Sequence, residues 1–359
     1  MMRGSVIRFL ASLAVLGLVV ASLLAWQAYR FVKTPAGTDA TQIVFSVDRG
    51  QSLGEVARRL EAEGLITDAK KFRIYARFKA LGGKMRIGEY ALRRNMPPGE
   101  ILKILASGRS IEYVVTVSEG LNRFEIASIV ERVGIGKRDE FLRITQDREF
   151  IRQTLGEDLP TLEGYLFPET YYVTRASGVR GLVRQMVAKF KEQFARIPQP
   201  NSEATPLTKH QIVTLASIVE KETGAPEERP LISSVFHNRL RKGMRLQTDP
   251  TVIYGVWLKS GSWNRNISRQ DLVTPTPYNT YVIPALPPGP IANAGWEALV
   301  AAVRPAKSEF LFFVSRNDGT HIFSKEYSQH KAAVGTFQLD RKAREGKSWR
   351  DLKKRKPNK

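Results

Sequence analysis

Two carboxylates and a lysine close the stretch LASIVEKETG, residues 215–224. At about 100° per residue, Ile212, Val213, Leu215, Ala216, Ile218 and Val219 make one broad apolar helix face. Lys221 points away from that face, and Glu220 and Glu222 fall on its two opposite borders. Acids two positions apart on a helix do not face each other, so one of them can enter a cleft but not both together. A carboxyl beside apolar side chains suits general acid–base work, because such surroundings favour its protonated form. The same residues also suit an ordinary solvated helix end, stopped by Gly224 and Pro226. Spacing alone leaves both open.

Three other stretches carry polar and aromatic residues fit for a site. Glu163 and Tyr165 stand in TLEGYLFPETYYV, and Gln247 and Asp249 stand in MRLQTDPTVIYG. Tyr278, Asn279 and Tyr281 stand in the Pro- and Gly-punctuated TPYNTYVIPALPPGPIANAG, which reads as a long, functional loop. Tyrosine and asparagine together can stack on a sugar face and bind its hydroxyl and acetamido groups. We expect Gln247, Asp249, Tyr278, Asn279 and Tyr281 to line one cleft with Glu220, with Glu163 and Tyr165 as further substrate contacts. Other chemistries lack their residues. The chain has no cysteine, which removes disulfides, thiolate metal sites and cysteine nucleophiles. His210, His237, His321 and His330 do not have metal-ligand spacing, and neither a nucleophile elbow nor a phosphate-binding loop is present. No metal or cofactor is expected. A carboxylate enzyme or a binding protein remains.

The elements that must position these residues follow from patterning. Phe9–Trp26 is an uncharged apolar run of 18 residues, near the roughly 20 that cross a bilayer and longer than the apolar part of a cleaved signal. Trp26 and Tyr29 sit where an interfacial belt would lie. Arg3 and Arg8 precede the run and Arg30 and Lys33 follow it, so local charge sets no orientation. A strand, a Gly turn and a capped helix from Ile43 recur from Tyr113: Val47 aligns with Val117, Gly50 with Gly120, Ser52 with Asn122, Glu55 with Glu125, and Gly64 with Gly134. Between the copies lie a helix over 69–81, a strand over 86–92 and a helix over 100–106. Lys70, Lys71, Arg73, Arg77 and Lys79 read as a solvated basic face. The net charge of +21 favours anionic neighbours, but no nucleic-acid-binding motif accompanies it. Further on, residues 161–173 read as strands flanking a turn, 179–196 as a basic helix, and the helix bearing Glu220 starts near Lys209. The fold class is α+β: an N-terminal segment 1–8, a transmembrane helix 9–29, a small β/α module 42–110, a larger mixed α+β domain 111–338, and a basic tail 339–359.

LASIVEKET, NRLRKGMRLQTDPTVIYG, PYNTY, LPPGPIANAG and EGYLFPETY resemble the YceG-like family of bacterial endolytic murein transglycosylases, and the resemblance covers nearly the whole chain. It implies a LysM-like module over 42–110 and a catalytic domain over 111–338. It also implies a single pass through the inner membrane with a cytoplasmic N-terminus and a periplasmic catalytic domain. The activity implied is non-hydrolytic cleavage of nascent peptidoglycan strands, leaving 1,6-anhydro-muramic ends, with peptidoglycan synthases as candidate partners. The family's catalytic glutamate is the first of its SIVEKE motif, here Glu220. The tail after 347 and the stretch between Trp257 and Asp271 match nothing in the family's pattern. Two other functions keep a place: a muramidase-type hydrolase pairing Glu220 with Asp249 or Glu163, and a glycan-binding scaffold without catalysis.

Overall fold

The computed structural model describes residues 2–261 and 267–340. Among them the chain divides into two compact units, residues up to 113 with 172–178, and residues 114–171 with those from 179 on. The expected basic tail lies, from residue 341, outside the described residues.

In the first unit, α1 (Met2–Lys33) carries a stretch, Ser12–Lys33, long and apolar enough to cross a membrane. Its leucines and valines are bare, but its last turn is not: Phe31 is buried in the unit's core and Val32 packs against it. β1 (Ile43–Val47), α2 (Leu53–Ala62), α3 (Ala69–Phe78), β2 (Gly88–Leu92) and α4 (Pro98–Ser107) follow. β1 and β2 pair antiparallel, Ile43 opposite Leu92 and Val47 opposite Gly88. Phe45, Leu60, Phe72, Tyr90, Leu92 and Leu105 are fully buried between strands and helices, each contributing about 1.5–3 kcal/mol on burial. α3 ends at Phe78 and not at Leu81, because Ala80 turns left-handed at φ 52° and Leu81 N–H closes the end onto the Ala76 carbonyl at 3.0 Å. Tyr172–Gly178 returns to this unit, where Arg175 binds Glu89 at 3.0 Å.

β3 (Tyr113–Thr116) carries the chain from the first unit into the second, which holds α5 (Arg123–Val133), α6 (Arg138–Ile144) and α7 (Arg148–Leu155), and β4 (Thr170–Val173) carries it back. The two copies of the strand–helix unit take the same local form. Gly50 and Gly120 turn left-handed (φ 86° and 74°), as do the glycines after the helices, Gly64 and Gly134 (φ 68° and 84°). Ser52 with Glu55, and Asn122 with Glu125, make reciprocal capping boxes. Residues 161–169, expected to hold a strand, are irregular. Their backbone groups find side chains instead of a ladder: Leu166 N–H donates to Asn293 Oδ1 at 2.9 Å, and Tyr165 N–H closes a turn on Leu162. α8 (Gly178–Ala195), α9 (Lys209–Glu222), α10 (Arg229–Arg241), α11 (Asp249–Ser260), α12 (Arg269–Val273) and α13 (Trp296–Val303) build the helical body. α9 packs along α13 and against α10 and α11. His237 is a structural residue in this body: its Nε2–H donates to the Ala302 carbonyl and its Nδ1 accepts from Thr205 N–H, both at 2.9 Å. Burial holds its ring below the usual histidine range. The hairpin β5 (Phe312–Ser315) and β6 (His321–Ser324) and the helix α14 (Tyr327–Val334) complete it. The segment 274–295 forms no helix or strand, as its Pro and Gly content predicts.

Candidate active site

α9 starts because Thr208 caps it, its hydroxyl accepting from Gln211 N–H while the Gln211 side chain returns to Thr208 N–H at 2.9 Å. Its face is buried from Val213 to Val219. It ends at Glu222, where Gly224 lies so close to the Gly319 backbone that a Cβ would stand 2.7 Å from that carbonyl. Glu220 therefore occupies the last turn of a fixed helix. Its side chain is only 8% exposed. One carboxylate oxygen meets Arg229 Nη2 at 3.4 Å, and the other accepts from Gly295 N–H at 3.2 Å. Gly295 is the residue that opens α13, so Glu220 also faces that helix's positive end. These are a cation and a donor in place of the apolar enclosure expected.

A second carboxylate shares the same arginine. Glu119 Oε2 stands 3.7 Å from Arg229 Nη2. Burial, followed by the charge of Glu220, pushes the Glu119 carboxyl above its usual range, and Arg229 opposes this. Glu119 belongs to the turn of the second strand–helix copy. That turn is pinned onto α9 by Lys221 Nζ, which donates to the Gly120 carbonyl at 3.0 Å, and to the loop before α13 by Gly120 N–H, which donates to the Asn293 carbonyl at 2.9 Å. Glycine at 295 leaves room for that side chain: a Cβ there would fall 1.8 Å from Glu119 Oε1.

Glu222, on the other border of α9, has different neighbours. It accepts a hydrogen bond from the Thr248 hydroxyl. Burial pushes its carboxyl up to about 7, with that hydrogen bond opposing and the Asp249 charge adding to the rise. Asp249 Oδ1 accepts from Tyr281 OH at 2.7 Å. Burial and the Asp249 charge raise the Tyr281 hydroxyl. Gln247 has φ 49°, a left-handed backbone uncommon for this residue type, and its N–H donates to the Thr280 carbonyl at 3.2 Å. Gln247, Asp249 and Tyr281 thus lie together, on the side of Glu222.

The remaining expected contacts act as internal braces. Glu163 is 2% exposed and accepts from Arg123 N–H, Tyr254 OH and Asn293 Nδ2 at 3.0, 2.9 and 3.2 Å. Burial raises its carboxyl against the pull of Arg123. Tyr165 is fully buried and its hydroxyl meets His210 Nδ1 at 2.9 Å, while His210 Nε2 meets the Pro288 carbonyl at 2.9 Å. Asn279 is buried too, its Nδ2 donating to the carbonyls of Asp271, Leu272 and Thr274. Tyr278 is half-buried against Tyr254, ring centroids 4.9 Å apart, and burial pushes its hydroxyl up to about 12. Its long loop approaches α11 closely at Gly255, where a Cβ would lie 2.4 Å from Thr276 Oγ1.

Glu119, Arg229, Asn293 and Gly295 escape the sequence reading. One signal for Glu119 exists. The aligned copies agree at Val47 and Val117 and at Gly50 and Gly120, yet oppose Arg49 to Glu119. That charge reversal beside the shared glycine is the one hint the sequence offers.

The YceG-like family model matches residues 45–336 of the chain. The chain is 31% identical over 308 residues to the endolytic murein transglycosylase of Bacillus subtilis, covering 82% of this chain and 84% of that protein. It is 30% identical over 323 residues to the endolytic murein transglycosylase of Streptococcus pneumoniae strain R6, covering 81% of this chain and 58% of the longer relative. The crystal structure of a YceG-like protein from Listeria monocytogenes is similar at a TM-score of 0.52 and 29% identity, over 82% of this chain and 99% of that one.

Proposed function

The chain belongs to the YceG-like family, and from that premise we propose that it is a membrane-anchored endolytic murein transglycosylase. Its substrate is the glycan strand of nascent peptidoglycan, cleaved at the MurNAc–GlcNAc β-1,4 bond without water. The names of the similar Bacillus and Streptococcus proteins support the activity. The observation that carries the mechanism is the Glu220 carboxyl, set at a fixed helix end between Arg229 and Gly295 N–H.

Glu220 serves twice. Protonated, it gives its proton to the glycosidic oxygen as the bond from C1 of the muramic residue breaks. As carboxylate, it then takes the proton of that residue's C6 hydroxyl while the C6 oxygen closes on C1. The product is the 1,6-anhydro end, and Glu220 is protonated again. Positive charge develops at C1 in between, and the Glu119 and Glu220 carboxylates both favour it electrostatically. Gln247, Asp249 and Tyr281 are proposed as glycan contacts on the Glu222 side of α9, with Tyr278 on the loop that reaches α11.

Glu119 also gives a hydrolytic reading its second carboxyl, in place of Asp249 or Glu163. Product chemistry separates the two. Full-length protein acting on uncrosslinked glycan strands should yield anhydro ends by mass. Reducing ends would establish hydrolysis, and no turnover above the Glu220→Gln variant would leave a binding scaffold.

The first unit is proposed as a LysM-like glycan-binding module, supported by its strand–helix–helix–strand order with β1 antiparallel to β2. The substrate's location supports a periplasmic catalytic domain and a cytoplasmic N-terminus. Strand termination next to a peptidoglycan synthase is the biological role this activity suits.

A further inference from the structure

α3 carries a face that has no part in the arrangement around Glu220. Ile74 and Phe78, one turn apart, are 60% and 83% exposed, and Phe78 is the most exposed large apolar side chain among the described residues. Lys70, Arg77 and Lys79 stand exposed around them, and Lys79 Nζ lies 5.9 Å from the centre of the Phe78 ring. An apolar pair framed by cations is the pattern of a surface that meets lipid head groups.

Two observations within the first unit bring α3 near the end of the apolar span of α1. First, α1 runs without a break from its apolar span into the unit. Trp26 and Tyr29 are bare on that span, and Phe31 is already in the core. At 1.5 Å per residue, only about 8 Å of helix separates Trp26 from Phe31, so the unit begins close to the end of the apolar span. Second, α3 lies against the end of α1. Val32 Cγ1 and the Tyr75 hydroxyl converge on Gly99, where a Cβ would stand 2.8 and 3.5 Å from them. Ile74 and Phe78 lie together to one side of Tyr75 on the helix surface.

We propose that Ile74 and Phe78 dip into the head-group layer of the membrane that α1 spans, with Lys70, Arg77 and Lys79 on anionic lipid heads. The first unit then rests on the bilayer through two contacts, α1 and α3. Glycan is held at a set height above the lipid, not on a freely swinging arm. The inference rests on α1 spanning the membrane, not on the chemistry at Glu220.

The absence of native cysteine makes the test clean. Full-length Phe78→Cys, carrying an apolar environment-sensitive fluorophore, is reconstituted into phosphatidylcholine vesicles with or without phosphatidylglycerol. Leu18→Cys, labelled alike, reports the span. With phosphatidylglycerol present, a spin label on the lipid head should quench the fluorophore at 78. That quenching should fall by about half or more in high salt or in the Lys70→Gln, Arg77→Gln, Lys79→Gln triple variant. A label at 78 that stays unquenched in anionic vesicles, while the label at 18 is quenched by chain-labelled lipid, overturns the proposal. So does a label at 18 that never enters the bilayer. Disulfide-linked dimers of the unlabelled Phe78→Cys variant in the vesicle would assign the face to a second copy of the chain instead, which also overturns it.

Discussion

Replacing Glu119 by glutamine should shift the pH range of glycan cleavage without abolishing it. Glu119 Oε2 and Glu220 Oε1 lie 3.7 and 3.4 Å from one nitrogen of Arg229. The two oxygens are therefore no more than about 7 Å apart, where the repulsion of unit charges is about 0.6 kcal/mol in water and about 2.4 kcal/mol at an effective dielectric of 20. The Glu119 side chain is 49% exposed, so solvent screening selects the lower part of that range. Repulsion between two carboxylates is mutual. Glu119→Gln removes that repulsion from the site, and the proposed cycle begins with Glu220 protonated. The high-pH limb of activity should accordingly move down. Initial rates of anhydro-end formation across pH, by mass, measure it. Gly295→Ala is the companion. Its Cβ would land 1.8 Å from Glu119 Oε1, and what it displaces is the end of a flexible, half-exposed side chain. The same downward shift should appear with little loss of thermal stability. A limb that stays put or moves up in Glu119→Gln refutes the coupling.

Glu220→Gln should lower turnover by roughly 10²–10⁴-fold, the usual worth of general acid–base catalysis, with folding retained by circular dichroism. Glu222→Gln should keep most of its activity, and the reverse ranking would move the catalytic assignment to Glu222. Burial raises the Glu222 carboxyl from 4.5 to about 7, so the stability it contributes is full below 4.5 and is lost as pH rises through about 7. Melting temperatures of Glu222→Gln should hence depend less on pH between those values, and a slope equal to the parent's would count against this. Asn293→Ala strips buried partners from Leu166 N–H, the Leu121 carbonyl and Glu163. It should cost about 3 kcal/mol by denaturant titration, since each orphaned buried group is worth about 1–3 kcal/mol; a loss below about 1 kcal/mol would show those bonds to be replaceable.

What was legible in the sequence is what local chemistry determines. The start of α9 at Lys209, the two capping boxes and the glycine stops follow from residues within one turn of each other. The irregular course of 161–169 was hidden, because Asn293 satisfies its backbone from more than a hundred residues away. The site divides along the same line. Family resemblance supplies Glu220, and chemistry groups Gln247 with Asp249 and Tyr281. Periodicity puts Glu220 and Glu222 on opposite borders, and their neighbours differ accordingly: Arg229 and Gly295 for one, Thr248 for the other. Yet Arg229 opens α10, Gly295 opens α13 and Glu119 precedes α5. No spacing rule joins three such ends.

The duplicated unit explains how one of those ends can be trusted with charge. A left-handed glycine and a capping box fix a turn from its own residues, so the side chain before the glycine leaves the backbone in a set direction. In the first copy that freedom is idle: a Cβ on Gly50 would meet nothing within 4 Å. In the second, a Cβ on Gly120 would stand 3.6 Å from Glu220 Cγ, and the preceding residue is Glu119 instead of Arg49. An arginine at that place would put a second cation beside Arg229 and leave Glu220 paired by two of them. A glutamate leaves one cation between two carboxylates, so that Glu220 is not held by two arginines. The same turn, locally self-sufficient in both copies, is structural in one and electrostatic in the other because of the residue it carries and the helix end it meets.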